Sequence, residues 1–319
     1  MNTVIKNLSM AGIIPVIRID DANDAVPLCR ALCRGGLPVA EITFRTDAAE
    51  QAIRNVHAEM PEVILGAGTV LNAGQVDKAL AAGASYIVSP GLNPKTVKHC
   101  LKQNVPIIAG CSSPSDIERA IELGLKTVKF FPAEALGGIK TMKAMSAPFP
   151  QMKFMPTGGI NEKNLLDYLR DERVVACGGS WMVPSGAVAG KDWASVEELT
   201  ESAVNLMLGL ELRHLGINSG TLNQAGRDAR DFAKLMGAPV IEKETSFFSG
   251  VNFELMKISG HGEKGHIAIA CNDVDRAVWH LGHRGYAFDE STRITRGGTT
   301  VFIYLQHEIA GFAVHLMKK

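Results

Sequence analysis

The chain has 319 residues, of which 46% are hydrophobic and 21% charged, an ordinary globular balance that excludes disorder over most of the length. Thirty-three Lys and Arg offset thirty-three Asp and Glu, so there is no basic footprint for nucleic acid. No apolar run approaches the ~20 residues of a membrane-spanning helix, and the length exceeds one typical domain.

The N-terminal stretch MNTVIKNLSMAGIIPVIRID reaches Arg18 without the small-residue cleavage pattern of a signal peptide. The six cysteines, at 29, 33, 100, 111, 177 and 271, show no CxxC spacing. They read as reduced, mostly buried thiols, so the expected location is cytoplasmic.

Eight β-rich segments follow in order. They begin at Ile13, Val39, Val63, Ser85, Pro106, Thr127, Lys153 and Val174. Between them lie segments with helical periodicity, such as DAAEQAIRNVHAEMP, NAGQVDKALAAGA and SPSDIERAIELGL. Asp, Asn or Ser stands at the expected N-caps, and Gly35, Gly83 and Gly124 stand at the expected ends. Strands alternating with helices in near-equal units predict an α/β fold, a (β/α)8 TIM barrel. An open doubly wound sheet is the alternative, disfavoured because no GxGxxG follows the first strand.

From Leu212 the pattern changes. Two similar stretches each read strand, helix, then further strands: LRHLGINS to FELMKIS, and GHIAIACN to GFAVHLMKK. This predicts a smaller α+β domain of two βαβββ modules at 212–319, after a barrel at 1–208. Seven of the nine histidines lie in this tail, which makes it the place to look for metal ligands.

A TIM barrel carries its chemistry at the C-terminal ends of its strands, with phosphate bound after strands seven and eight. Lys129 alternates with Thr127 and Phe131 in the sixth strand, so the three share a face. Facing inward, the amine would be desolvated, available near neutral pH and able to form a Schiff base; at a strand edge it would reach solvent. Glu41, Thr43 and Arg45 share a face of the second strand, as a structural ion pair or as a proton-transfer group with a carboxylate fork. Thr157-Gly158-Gly159 and Gly178-Gly179-Ser180 close strands seven and eight, where glycines let backbone N–H groups approach an anion.

The segments IIPVIR, EITFRT, LGAGTVLN, VSPGLNP, VKFFPAE, PTGGI and GGSWMVP occur in order. Over these motifs the chain resembles the 2-keto-3-deoxy-6-phosphogluconate (KDPG) and 4-hydroxy-2-oxoglutarate (KHG) aldolases. The resemblance implies a class I aldolase of carbohydrate metabolism and the Entner–Doudoroff pathway, without a cofactor. Its substrate would be a keto sugar acid phosphate, and it would act as a homotrimer. It implies Lys129 as the Schiff-base lysine and Glu41 as general acid/base. Arg45 and Thr69 would hold the pyruvyl carboxylate, and Phe131, Pro90 and Thr157 would line the pocket. Gly158, Gly159, Gly179 and Ser180 would meet the phosphate, with Arg18 a further substrate contact.

The tail is similar to the glyoxalase and vicinal-oxygen-chelate superfamily. That resemblance implies a divalent-metal site on His214, Glu254, His266 and His315, the last standing where the superfamily usually has glutamate. Three roles stay open for the tail: a metal-dependent second enzyme, a metabolite-binding regulatory module, and a degenerate cup of hydrogen-bonded polar groups.

Overall fold

The structure is a computed structural model that describes residues 2–319. It divides into two compact units, the first ending at Met207 and the second spanning Leu208–Lys319.

The first unit holds eight parallel strands: β1 Ile13–Ile17, β2 Val39–Thr43, β3 Ile64–Gly68, β4 Tyr86–Ser89, β5 Ile107–Cys111, β6 Thr127–Phe130, β7 Lys153–Pro156 and β8 Cys177–Gly179. They run β7-β6-β5-β4-β3-β2-β1-β8 in the sheet. Isolated parallel bridges Phe154–Val174 and Thr157–Gly178 bring the two edges together, completing a TIM barrel. The last strand begins at Cys177, not Val174; Val174 contributes only its bridge. Every residue of β2, β4, β5 and β6 is buried. Helices outside and side chains inside cover both sheet faces, which is why these strands are apolar runs rather than alternating ones.

The intervening helices start where short polar side chains stop the orphan N–H groups. Asn72 accepts from the Gln75 amide, Asn93 from that of Lys95, and Ser113 forms a capping box with Asp116. Pro94 and Pro114 occupy first-turn positions, where a missing N–H costs nothing. An additional helix, Thr3–Ala11, precedes the first strand.

Gly83 and Gly124 take the left-handed conformation expected of helix-ending glycines, but Gly35 does not. At the end of the helix Ala25–Arg34 that role passes to Gly36, with φ of 90°. Gly35 is used for close packing instead. A β-carbon there would lie 2.6 Å from the Thr200 β-carbon and 2.8 Å from the Glu197 carbonyl, on the helix Trp193–Leu208.

The second unit is one eight-stranded sheet made of β9 Glu211–Asn218, β10 Val240–Glu242, β11 Ser246–Ser249, β12 Phe253–Met256, β13 Gly265–Cys271, β14 Phe288–Arg296, β15 Thr299–Leu305 and β16 Phe312–Lys318. The helix Leu222–Met236 follows β9 and the helix Val274–His283 follows β13, so each half has the order βαβββ. The sheet order is β10-β11-β12-β9-β13-β16-β15-β14. Each half pairs its first strand with its last in parallel, and β9 and β13 join the halves antiparallel. The four central strands are therefore the first and last of each half.

Gly35→Ala should lower stability by about 1–3 kcal/mol, the usual cost of overpacking. Chemical denaturation followed by circular dichroism measures this; an unchanged midpoint would show that the helix Trp193–Leu208 yields without cost.

Candidate active site and candidate metal centre

In the barrel, alternation along β6 brings Lys129 inward. It is 6% exposed, and Glu41 from β2 is fully buried. The Lys129 Nζ lies 3.8 Å from Glu41 Oε1, an ion-pair contact beyond hydrogen-bond length, and 4.9 Å from the centre of the Phe131 ring. Neither carboxylate oxygen of Glu41 has a hydrogen-bonding partner. Burial pushes the Glu41 carboxyl up, while the Lys129 ammonium and Arg45 guanidinium pull it down without cancelling the burial.

Strand β3 makes the room for this pair. A β-carbon on Gly68 would lie 2.3 Å from Glu41 Oε1, and one on Gly66 would lie 2.2 Å from the Tyr86 ring. Tyr86 is fully buried on the adjacent β4, and its hydroxyl donates to the Ala40 carbonyl at 3.4 Å. Sequence reasoning passed over Gly66, Gly68 and Tyr86. Their signal was an alternation of two glycines beside a strand with an inward carboxylate.

The other expected barrel residues fall into distinct places. Arg45 lies beyond the end of β2, which stops at Thr43, and is exposed. Its Nε still donates to Thr43 Oγ1 at 3.1 Å, and Thr43 donates to the Ile17 carbonyl at 2.8 Å. Thr69 follows β3 with φ of 57°. Pro90 follows β4, and its carbonyl sits where Gly110 would otherwise carry a side chain. Thr157 is buried, and its side chain packs where Gly178 lacks one.

Gly158 and Gly159 both have positive φ. The Gly158 carbonyl accepts from the Glu134 amide, and a β-carbon on Gly159 would meet that of Glu134 at 2.6 Å. The Tyr168 hydroxyl donates to Glu134. Gly179 lies under the Trp181 ring, while Ser180 is exposed. Arg18 is exposed and pairs with Asp20 at 2.8 Å.

In the second unit, Glu254, His214, His266 and His315 come one each from β12, β9, β13 and β16, the four neighbouring central strands. Register places them on alternate squares. Gly216 stands opposite both Glu254 and His266, and Ala268 stands opposite both His214 and His315. The small residues let the larger side chains lean together: a β-carbon on Gly216 would sit 2.1 Å from the His266 ring.

His214 Nε2 is 3.1 Å from His266 Nε2, and Glu254 Oε2 lies 3.1 Å from the first and 3.2 Å from the second. The nitrogens of His214, His266 and His315 fall within 4.8 Å of one another. Burial would push the Glu254 carboxyl up, but hydrogen bonds with His214, His266 and Ser246 hold it well below the usual carboxylate range. Burial pushes the His315 imidazole down to about 3, so its ring is neutral and keeps a lone pair at physiological pH. The donor set, imidazoles and one carboxylate, suits a divalent first-row cation. His280, on the helix Val274–His283, is buried at 1% exposure.

The aldolase family model for KDPG and KHG aldolase matches residues 4–199. A 2-dehydro-3-deoxy-phosphogluconate aldolase of Treponema pallidum is 47% identical over 207 residues, 65% of this chain and 99% of that protein. A KHG/KDPG aldolase of Escherichia coli is 43% identical over 197 residues, 62% of this chain and 92% of that one. A solved KDPG aldolase from Legionella pneumophila, with pyruvate captured as a covalent carbinolamine, is 41% identical with a TM-score of 0.60. That match covers 62% of this chain and 97% of the other.

The Glu41 carboxyl should titrate above the ordinary 4.5 of glutamic acid. In Lys129→Met it should titrate higher still, because the ammonium is the strongest influence holding it down. Infrared difference spectra of the carboxyl band across a pH series measure both; a lower value in the variant would contradict this electrostatic account.

Proposed function

The chain belongs to the KDPG and KHG aldolase family, and from that premise we propose how its own residues carry the reaction. The protein is a class I pyruvate aldolase, a carbon–carbon lyase. It cleaves 2-keto-3-deoxy-6-phosphogluconate to pyruvate and glyceraldehyde 3-phosphate, and 4-hydroxy-2-oxoglutarate to pyruvate and glyoxylate. The observation that carries the residue assignment is the buried Lys129–Glu41 pair, an amine beside a carboxylate with two free oxygens.

Lys129 Nζ attacks the C2 ketone, giving a carbinolamine. Loss of water leaves a protonated imine, which accepts the electron pair of the C3–C4 bond. Glu41, as carboxylate, takes the C4 hydroxyl proton as the aldehyde departs. It then returns a proton to C3 of the enamine, and hydrolysis frees pyruvate and Lys129. The raised affinity of Glu41 for a proton suits it to both halves of this exchange. The covalent pyruvate intermediate of the Legionella relative supports the same route.

Arg45 and Thr69 bind the pyruvyl carboxylate, with Phe131, Pro90 and Thr157 lining the pocket. The Arg45–Thr43–Ile17 hydrogen-bond chain orients the guanidinium at its base. Backbone N–H groups of Gly158, Gly159 and Gly179, with the Ser180 hydroxyl, hold the phosphate, and Arg18 adds charge at the rim. The family resemblance supports a homotrimer. The six cysteines, none in a disulfide and five of them buried, support a reducing, cytoplasmic location.

In the second unit, His214, Glu254, His266 and His315 surround a divalent-metal centre. A bound ion there would supply Lewis acidity to an oxygen-bearing ligand. The convergence of donor atoms supports this reading: two imidazole nitrogens and one carboxylate oxygen lie 3.1–3.2 Å apart around a common point.

With pyruvate and borohydride, the wild type should gain one reduced three-carbon adduct on Lys129, read by peptide mass spectrometry. Lys129→Ala should gain none and should not cleave substrate, whereas cleavage at the wild-type rate would end the Schiff-base assignment. Glu41→Gln should lower kcat by about 10²–10⁴ while still forming the adduct, which separates proton transfer from imine formation. Metal analysis after incubation with zinc should find one ion per chain, lost in His214→Ala and His266→Ala; equal loading of both variants would reject the centre.

A further inference from the structure

We infer that the second unit's centre is a three-ligand face of His214 Nε2, His266 Nε2 and Glu254 Oε2, with Ser246 as the residue that positions the carboxylate and His315 outside the ligand set. This rests on the metal reading above and refines the residues of that site.

The three donor atoms already have the right spacing. Protein ligands sit about 2.0–2.2 Å from such a cation, which puts neighbouring ligand atoms about 3.0–3.5 Å apart. The observed edges are 3.1, 3.1 and 3.2 Å, so the triangle needs no rearrangement.

Ser246 decides which carboxylate oxygen is free. It is fully buried on β11, and its hydroxyl donates to Glu254 Oε1 at 2.6 Å. One oxygen is thereby committed to the protein and the other is turned to the histidines, so the carboxylate acts through a single oxygen. A partner of this kind behind a ligand fixes its orientation. Nothing in the FELM motif identifies Ser246, which reaches Glu254 from the neighbouring strand.

His315 is held differently. Its ring centre is 5.8 Å from that of His214 and 5.3 Å from that of His266, which stand 5.2 Å from each other, and it also packs 4.4 Å from Phe302 and 5.0 Å from Tyr304. Among the described residues, no hydrogen bond or ion pair joins it to the other three, and its Nδ1 is buried without a partner. Its ligating nitrogen lies within 4.8 Å of those of His214 and His266, without the 3.1–3.2 Å contacts that join the triangle. It remains near enough to hydrogen-bond a molecule bound beside the three donors.

The test uses the full-length chain, stripped of metal, titrated with Zn²⁺ by calorimetry and with Co²⁺ by visible absorbance. Ser246→Ala should weaken Zn²⁺ binding by about 10–100-fold and shift the Co²⁺ band, because Oε1 is released. His315→Gln should keep the affinity within the same order of magnitude and leave the band in place. His214→Gln should lose binding. Ser246→Cys, a weaker donor of similar size, is the second variant if Ser246→Ala melts early by circular dichroism; it too should weaken binding. Loss of binding in His315→Gln equal to that in His214→Gln would overturn the three-ligand face. Wild-type affinity in both Ser246 variants would overturn the positioning role. No Zn²⁺ or Co²⁺ binding by the wild type would reject the metal reading itself, and this inference with it.

Discussion

The barrel depends on one electrostatic constraint, an ammonium and a carboxylate placed together where water is excluded. Lys129 is 6% exposed and Glu41 fully buried. Removing two charges from water is costly, and their attraction offsets it only in good geometry. Here the geometry is left incomplete. The pair stands 3.8 Å apart and the carboxylate oxygens are unpartnered. A structural salt bridge would close that gap with hydrogen bonds; an open one leaves donors and acceptors for a substrate. The rest of the barrel supports this arrangement: Gly66 and Gly68 vacate space, Tyr86 fills the interior beside them, and the parallel strands exclude solvent from both faces.

The second unit solves a similar steric problem by a different route. Its polar groups lie on four neighbouring strands whose register would keep their backbones well apart. Gly216 and Ala268 occupy the intervening squares, so side chains from strands that are not adjacent can meet. In both units the smallest residues are placed where a titratable group needs room. Such glycines serve close approach, not turn geometry.

Gly35 makes the same distinction from the other side. Read along the chain, it is a helix-ending glycine. In the fold, its φ is ordinary and its missing side chain accommodates the helix Trp193–Leu208, while Gly36 provides the left-handed turn. Chain order shows that a glycine punctuates; only the packed neighbour shows why it must stay bare.

Periodicity, cap residues and alternation are local properties, so the sequence by itself determined the eight strand–helix units, the two βαβββ halves, and the shared face of Thr127, Lys129 and Phe131. Motif order added the aldolase family and, by resemblance, the roles expected of Lys129 and Glu41. Distances across the sheet are not local. That Lys129 meets Glu41, that Arg45 stands outside the strand it seemed to continue, that β8 starts at Cys177, and that Ser246 reaches Glu254 were settled by tertiary structure alone. Register and barrel closure place residues from separate strands beside one another, and no single stretch of chain encodes which squares of the sheet adjoin.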